Sequence, residues 1–411
     1  MQRMSKRGRI RSRKVSTNRI IRSMVRSRLI WALAGCSALI LAMVVVACNS
    51  LSARKPSPAT PETTAQTTNA LPVFSDWRAA YLGNDGRVHV VTLDGKTDVT
   101  GPELPDLTSD GLTFSSGGSS PNGHLLVYAP SSLDIVNLTD RQKDLEQERA
   151  LAYGLFWSAD SKELALDEDN GVIAIASVQN GASHVIQGMP KGTVGSLLGW
   201  IDKTHLAITD IQDQGLVTLP GGDQYNTAIG VASLDITTGQ VRLIARISNP
   251  ELGCQRMTLS PDGTTVLFSN AECHGFPFTP LVDEIDMATG AITPLPNILQ
   301  ATGAGFTSVA WQAGTDRVAV STGYAANGDL HTWLLTLDQD RAQTLPGAGY
   351  AAGWAPGSDT LMLTTGQDIS IGAGPFTLMA LNVGVNGEAS SIIPLTGEAM
   401  TFPFLGFVRT A

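Results

Sequence analysis

The sequence predicts an all-β fold. It is a single β-propeller of seven four-stranded blades, preceded by an N-terminal signal or anchor helix and closed by the C-terminal strand. Three observations carry this expectation. A pattern of short apolar strands and tight turns recurs along residues 73–411. No long helical periodicity interrupts it. The two ends of the array read as complementary fragments of one blade.

The repeat is clearest at its first strand and turn. Successive copies are Leu112–Gly123, Leu155–Ser161, Leu197–Lys203, Met257–Gly263, Val309–Asp316 and Ala352–Asp359. Second strands follow at Leu125–Ala129, Leu164–Leu166, His205–Thr209, Thr265–Ser269, Arg317–Thr322 and Leu361–Thr365. Third strands include Arg87–Leu93, Leu133–Leu138, Val172–Val178, Ala228–Asp235 and Thr332–Leu337. Alternating β-branched and apolar residues suit a pleated strand packed on both faces. Pro-Asn-Gly at 121–123 and Pro-Asp-Gly at 261–263 make tight turns. Proline presets φ there, Asp or Asn bonds the local backbone, and glycine takes positive φ. Asp235–Gly239 and Asp286–Gly290 are turns of the same kind. The copies start up to 60 residues apart, the range of a four-stranded blade with some loops lengthened. Trp157, Trp200, Trp311 and Trp354 occupy one repeat position, which marks them as blade-to-blade core.

The termini complete the ring. Trp77–Leu82 and Arg87–Leu93 form a unit that lacks its innermost strand. Phe402–Val408 reads as an innermost strand with nothing after it. Joining them removes two exposed sheet edges, and with the six internal copies gives seven blades.

Ahead of the propeller the chain changes character. Residues 1–28 hold eleven Lys/Arg and no acid, whereas residues 29–411 hold 17 basic and 37 acidic side chains, a formal charge of -20. A body so acidic repels phosphate backbones, which argues against nucleic-acid binding. The basic segment precedes an uncharged apolar run, Leu29–Ala47, in the order of an export signal. That run ends in Val45-Val46-Ala47-Cys48, which resembles the bacterial lipobox and implies lipidation at Cys48. Leu33-Ala34-Gly35-Cys36 is a second match that arrives too early in the run. An uncleaved anchor helix is the alternative, because ~20 apolar residues can span a bilayer. Both readings place the body outside the cytoplasm and tether it to the membrane. The expected organisation is a signal peptide or anchor at 1–48, a Ser/Thr/Pro-rich linker at 49–72 and the propeller at 73–411.

Ser260-Pro-Asp-Gly263 followed by Thr-Thr-Val-Leu-Phe-Ser resembles the repeat of TolB-like, WD-repeat-like bacterial propellers. Phe156–Asp160 and Trp354–Asp359 are degenerate copies. The resemblance covers roughly residues 73–408 and implies the fold. Its motif residues are turn and core residues, so it implies no activity. TolB carries a separate α/β domain before its propeller, and dipeptidyl-peptidase-like enzymes carry a hydrolase domain after theirs. The sequence shows no counterpart of either.

Candidate chemical groups are few. Cys254 and Cys273 flank the hairpin around the Ser260–Gly263 turn and are expected to form a disulfide in an oxidising compartment. A metal site from Cys254, Glu272, Cys273 and His274 is the alternative, with poor ligand spacing. His89, His124, His184, His205 and His331 fall at unrelated strand positions. Asp167-Glu-Asp-Asn-Gly171 resembles part of a calcium loop, but reads better as a turn between two strands. No nucleophile elbow, phosphate loop or zinc-protease motif is present, and no cofactor is expected. The longest insertions, Ile211–Asn226 and Ala271–Pro280, are the expected binding surface. The function expected is therefore non-catalytic binding or scaffolding in the cell envelope, toward a protein or envelope glycan. The alternative is a propeller hydrolase or lyase, with carboxylates converging at the mouth of the central channel.

Overall fold

A computed structural model describes residues 76–409, apart from short internal stretches of which 104–117, 188–193, 211–215, 219–223, 248–253, 272–279 and 366–376 are the longest. The chain divides into two compact units, Met1–Asn69 and Ala70–Ala411, and the described residues belong to the second. The expected signal or anchor helix, Cys48 and the linker at 49–72 lie outside the described residues. Among those described, no helix is long and apolar enough to cross a membrane.

The strands form consecutive four-stranded antiparallel sheets. The first joins β1 (Trp77–Gly83), β2 (Arg87–Thr92) and β3 (Asp98–Glu103) to the last strand of the chain, β30 (Met400–Arg409). The second holds β4 (Gly118–Ser119), β5 (Leu125–Tyr128), β6 (Ser132–Asn137) and β7 (Gln142–Glu148). The third holds β8 (Ala152–Trp157), β9 (Glu163–Glu168), β10 (Val172–Ser177) and β11 (Ser183–Val185). In the fourth, β12 (Val194–Trp200) and β13 (His205–Asp210) are followed by a separate hairpin, β14 (Leu216–Thr218) and β15 (Gln224–Asn226). The sheet then resumes with β16 (Ile229–Asp235) and β17 (Val241–Ile247). The fifth holds β18 (Cys254–Leu259), β19 (Thr265–Ala271), β20 (Leu281–Asp286) and β21 (Ile292–Pro294). The sixth holds β22 (Phe306–Trp311), β23 (Arg317–Thr322), β24 (His331–Thr336) and β25 (Arg341–Thr344). The seventh holds β26 (Tyr350–Trp354), β27 (Thr360–Thr365), β28 (Thr377–Val383) and β29 (Ala389–Pro394).

The expectation of seven four-stranded blades is corrected by these lengths to six. Six sheets are complete blades, each with an innermost strand of five residues or more. The sheet at 118–148 is not a like copy, because its innermost strand is described only at Gly118–Ser119. The expected first strand from Leu112 falls in the undescribed stretch 104–117. A second correction concerns Asp167 and Glu168. Both belong to strand β9 rather than to a turn, and Asp167 is buried.

Each blade packs on the next through apolar faces. Ile173, Ile175, Leu206, Ile208 and Leu234 make one such layer between the third and fourth sheets. Val266, Phe268 and Ile285 of the fifth sheet meet Val231 and Ala245 of the fourth. The recurring tryptophans fasten neighbouring innermost strands. Trp157 Nε1 donates to Gly118 O at 3.1 Å, Trp200 Nε1 to Phe156 O at 3.0 Å and Trp354 Nε1 to Ala310 O at 3.1 Å. Trp311 Nε1 reaches the Thr258 hydroxyl at 3.2 Å. Burying an indole requires a partner for its N–H, and the preceding blade supplies one.

The turns repeat as well. In three sheets a serine hydroxyl donates to the Asp or Asn two residues on, in the pairs Ser120–Asn122, Ser158–Asp160 and Ser260–Asp262. The same hydroxyl accepts the N–H that opens the second strand, from Leu125, Glu163 and Thr265. Gly290 closes an outer turn at φ +73°, where an added Cβ would press on the Ile244 carbonyl oxygen of the neighbouring blade. Gly314 has φ +73° too, but opens onto free space. Gly314→Ala is expected to cost only the backbone term of roughly 1–2 kcal/mol, and Gly290→Ala distinctly more. Urea unfolding midpoints of the two variants check this.

Ring closure follows the sequence expectation. β30 pairs antiparallel with β1, with Trp77 opposite Arg409 and Ala79 opposite Phe407. The Arg409 guanidinium lies 4.6 Å from the Trp77 ring centroid, and Arg409 N donates to Gly123 O at 2.8 Å. One short helix, α1 (Pro296–Thr302), links the fifth and sixth sheets. Proline opens it and Gly303, in the left-handed region at φ 78°, ends it.

Candidate functional site

The turns from innermost to second strand all lie at one end of the antiparallel blades, and the loops from second to third strand at the other. A cavity of about 730 Å³ sits at the first end, against four successive sheets. Phe156, Trp157, Leu198, Trp200, Leu259 and Pro261 give it an apolar floor. Because Trp157 and Trp200 spend their N–H groups on the preceding blade, they offer the cavity only hydrocarbon. Gly199 opens the space: at φ +139°, an added Cβ would stand 3.3 Å from Leu259 Cδ2.

The charged lining comes from the same turns: Asp160, Asp202, Asp262 and Glu163, with Lys162 and Lys203. Asp160 Oδ1 accepts from the Ser158 hydroxyl at 2.9 Å and from Lys162 N at 3.2 Å. The Ser158 bond leads in holding its carboxyl below the usual range. The Lys162 backbone N–H and the charges of Lys162 and Lys203 add to it. Burial pushes Asp262 up. Bonds from the Ser260 hydroxyl at 2.6 Å, the Thr264 hydroxyl at 2.8 Å and Thr264 N at 3.2 Å outweigh it, and the net shift is down. Burial likewise raises Asp202. Thr204 N at 2.7 Å, the Thr204 hydroxyl at 3.0 Å and the His205 ring, with Nδ1 at 3.0 Å, outweigh it and lower the group. Three carboxylates of the cavity are thus held ionised by their own turns. A carboxylate in that state supplies fixed negative charge but is a poor general acid, which must hold a proton at working pH.

Carboxyls that burial pushes upward stand elsewhere. Asp167 in β9 is raised by burial, partly offset by Leu197 N at 3.0 Å. Asp283 in β20 is raised by burial, as is Glu284, to which Asp316, Asp286 and Asp338 add repulsion. None of these lines the cavity. Sequence reasoning missed Asp167 as a buried group. Its one signal is an acid within an apolar strand, Leu164-Ala165-Leu166-Asp167.

The structure does not gather the sequence candidates. His89 stacks on Tyr81 at 5.1 Å, His331 meets the Trp333 edge at 6.3 Å, and His205 serves the Asp202 turn. His124 and His184 are exposed. Among the described residues no three His, Cys, Asp or Glu stand close enough to hold a metal ion. Cys254 opens β18 with its Cα opposite Ala271, whereas Glu272, Cys273 and His274 lie outside the described residues. Both insertions chosen from sequence, 211–226 and 271–280, join second to third strands, at the end away from the cavity.

No protein-family model and no curated protein matches the chain. Solved structures do share the fold. An oligogalacturonate lyase in complex with manganese is 15% identical, with 75% of this chain and 85% of that one covered and a TM-score of 0.51. An oligogalacturonate lyase from Vibrio parahaemolyticus is 14% identical, with 76% and 83% covered and a TM-score of 0.52. At these identities the likeness establishes a β-propeller and nothing finer.

Proposed function

We propose that this chain is a membrane-tethered, extracytoplasmic binding propeller that docks a partner at the cavity on its inner-turn end. One observation carries the reading: Asp160, Asp202 and Asp262 are each occupied by hydrogen bonds within their own turns and held in the charged form. Carboxylates held this way supply fixed negative charge to a bound partner and are poor general acids. The apolar floor with a few placed polar groups has the make-up of a ligand pocket, and about 730 Å³ lies within the usual range of roughly 300–1,000 Å³. A lyase or hydrolase reading, with carboxylates converging at the mouth of the central channel, needs a carboxyl that takes up a proton. The likeness to oligogalacturonate lyases extends to fold and brings no activity with it.

Tethering rests on the basic segment, the apolar run and the lipobox-like end at Cys48. Cells fed labelled palmitate are expected to label the wild-type chain and not Cys48→Ser, and equal labelling would contradict lipidation. Docking is tested by a photo-crosslinking amino acid at exposed Ala159, on the cavity, and at exposed Ala288, on an outer turn. A discrete adduct from position 159 and none from 288 is expected. Adducts of equal yield, or none at 159, would contradict the assignment.

A further inference from the structure

Resting on that reading of the cavity, we infer that its occupant is a cationic polypeptide segment carrying an apolar or aromatic anchor residue. The anchor follows from the floor, where Trp157, Trp200, Phe156 and Leu259 present hydrocarbon with their polar needs already met. The positive charge follows from the rim. Four carboxylates stand there against two lysines, and Lys162 Nζ lies 3.9 Å from Asp160 Oδ2. Turn hydrogen bonds fix three of those carboxylates in place and in the ionised form. They therefore lose little side-chain freedom when a cation arrives, which is the advantage of preorganisation. At longer range the acidic balance of residues 29–411, 17 basic against 37 acidic, draws cations in and turns phosphates and uronates away.

The second sheet supplies a control within the molecule. Asn122 fills the turn position of Asp160 and Asp262, accepting the Ser120 hydroxyl at 2.7 Å and His124 N at 3.0 Å. A neutral amide thus supports the same turn, so Asp160→Asn and Asp262→Asn remove charge and keep the fold.

The test uses the full-length chain and three fluorescein-labelled peptides, Lys-Lys-Trp-Lys-Lys, Ser-Ser-Trp-Ser-Ser and Glu-Glu-Trp-Glu-Glu, followed by anisotropy. Expected is binding of the lysine peptide above the other two, weakened by added salt. The Asp160→Asn/Asp262→Asn double variant should bind it about three- to tenfold more weakly, and Ala159→Trp, which fills the cavity, should abolish binding. If the serine peptide binds as well as the lysine peptide and Ala159→Trp abolishes both, the cavity reading stands and the cationic inference falls. Lysine-peptide binding untouched by Ala159→Trp overturns the cavity reading itself. A galacturonate oligomer that displaces the lysine peptide, or binds where no peptide does, overturns the inference in favour of a glycan.

Discussion

Removal of residues 400–411 abolishes cooperative folding of the propeller. The deletion takes away β30, the innermost strand of the first sheet, and leaves β1 as a bare edge facing a gap in the ring. Leu405, Phe407 and Val408 are buried at 7%, 6% and 0% exposure, and Phe404 packs with Phe407 at 5.0 Å between ring centroids. Each buried apolar side chain is worth roughly 1.5–3 kcal/mol, against a total stability of typically ~5–15 kcal/mol. The loss therefore takes most of the available margin. The truncated chain is expected in the insoluble fraction, or to unfold without a sharp transition by circular dichroism. A truncated protein melting within a few degrees of the full chain would show that the ring closes by other means.

Trp354→Ala gives the largest loss expected from a single substitution. Trp354 is 6% exposed, packs with Leu361, Leu363 and Leu381, and donates to Ala310 O of the sixth sheet. Arg317 lies 5.1 Å from its ring centroid and spans the same junction, bonding Asp359 at 2.9 Å, Val383 O at 3.1 Å and Gly384 O at 3.0 Å. Truncation leaves a cavity beneath a guanidinium, at a cost of about 3–5 kcal/mol. Trp354→Phe keeps most of the volume and forfeits chiefly the hydrogen bond, at about 1 kcal/mol. Denaturant titration separates the two. Equal losses would mean that packing at this junction contributes little.

Residues whose role is local made the fold legible in the sequence. The Ser260–Gly263 turn works through its own backbone, so its spelling alone locates it. The tryptophans at 157, 200, 311 and 354 announce the blade interface because one position must fill the same gap in each blade. Strand β30 was legible as the missing strand of a blade because its apolar run had no partner nearby. The outermost strands were not legible. Strand β21 (Ile-Thr-Pro) is exposed throughout and β11 (Ser-His-Val) nearly so, and a strand with no buried face carries no alternation. The cavity was not legible for a related reason. Insertions 211–226 and 271–280 stand out by length, whereas the cavity is built by the most regular turns of the molecule. Nothing in Phe156-Trp-Ser-Ala-Asp160 distinguishes a turn that lines a cavity from one that does not. That depends on three neighbouring blades.

One titration measures the charge state of the cavity directly. Carboxyl carbons of carbon-13-labelled aspartate can be followed by NMR against pH, with Asp160, Asp202 and Asp262 assigned by their Asn variants. All three are expected to titrate below a free aspartate side chain, because turn donors stabilise each anion. A cavity aspartate titrating above the free side chain would contradict the binding reading and supply the proton donor that a lyase or hydrolase needs.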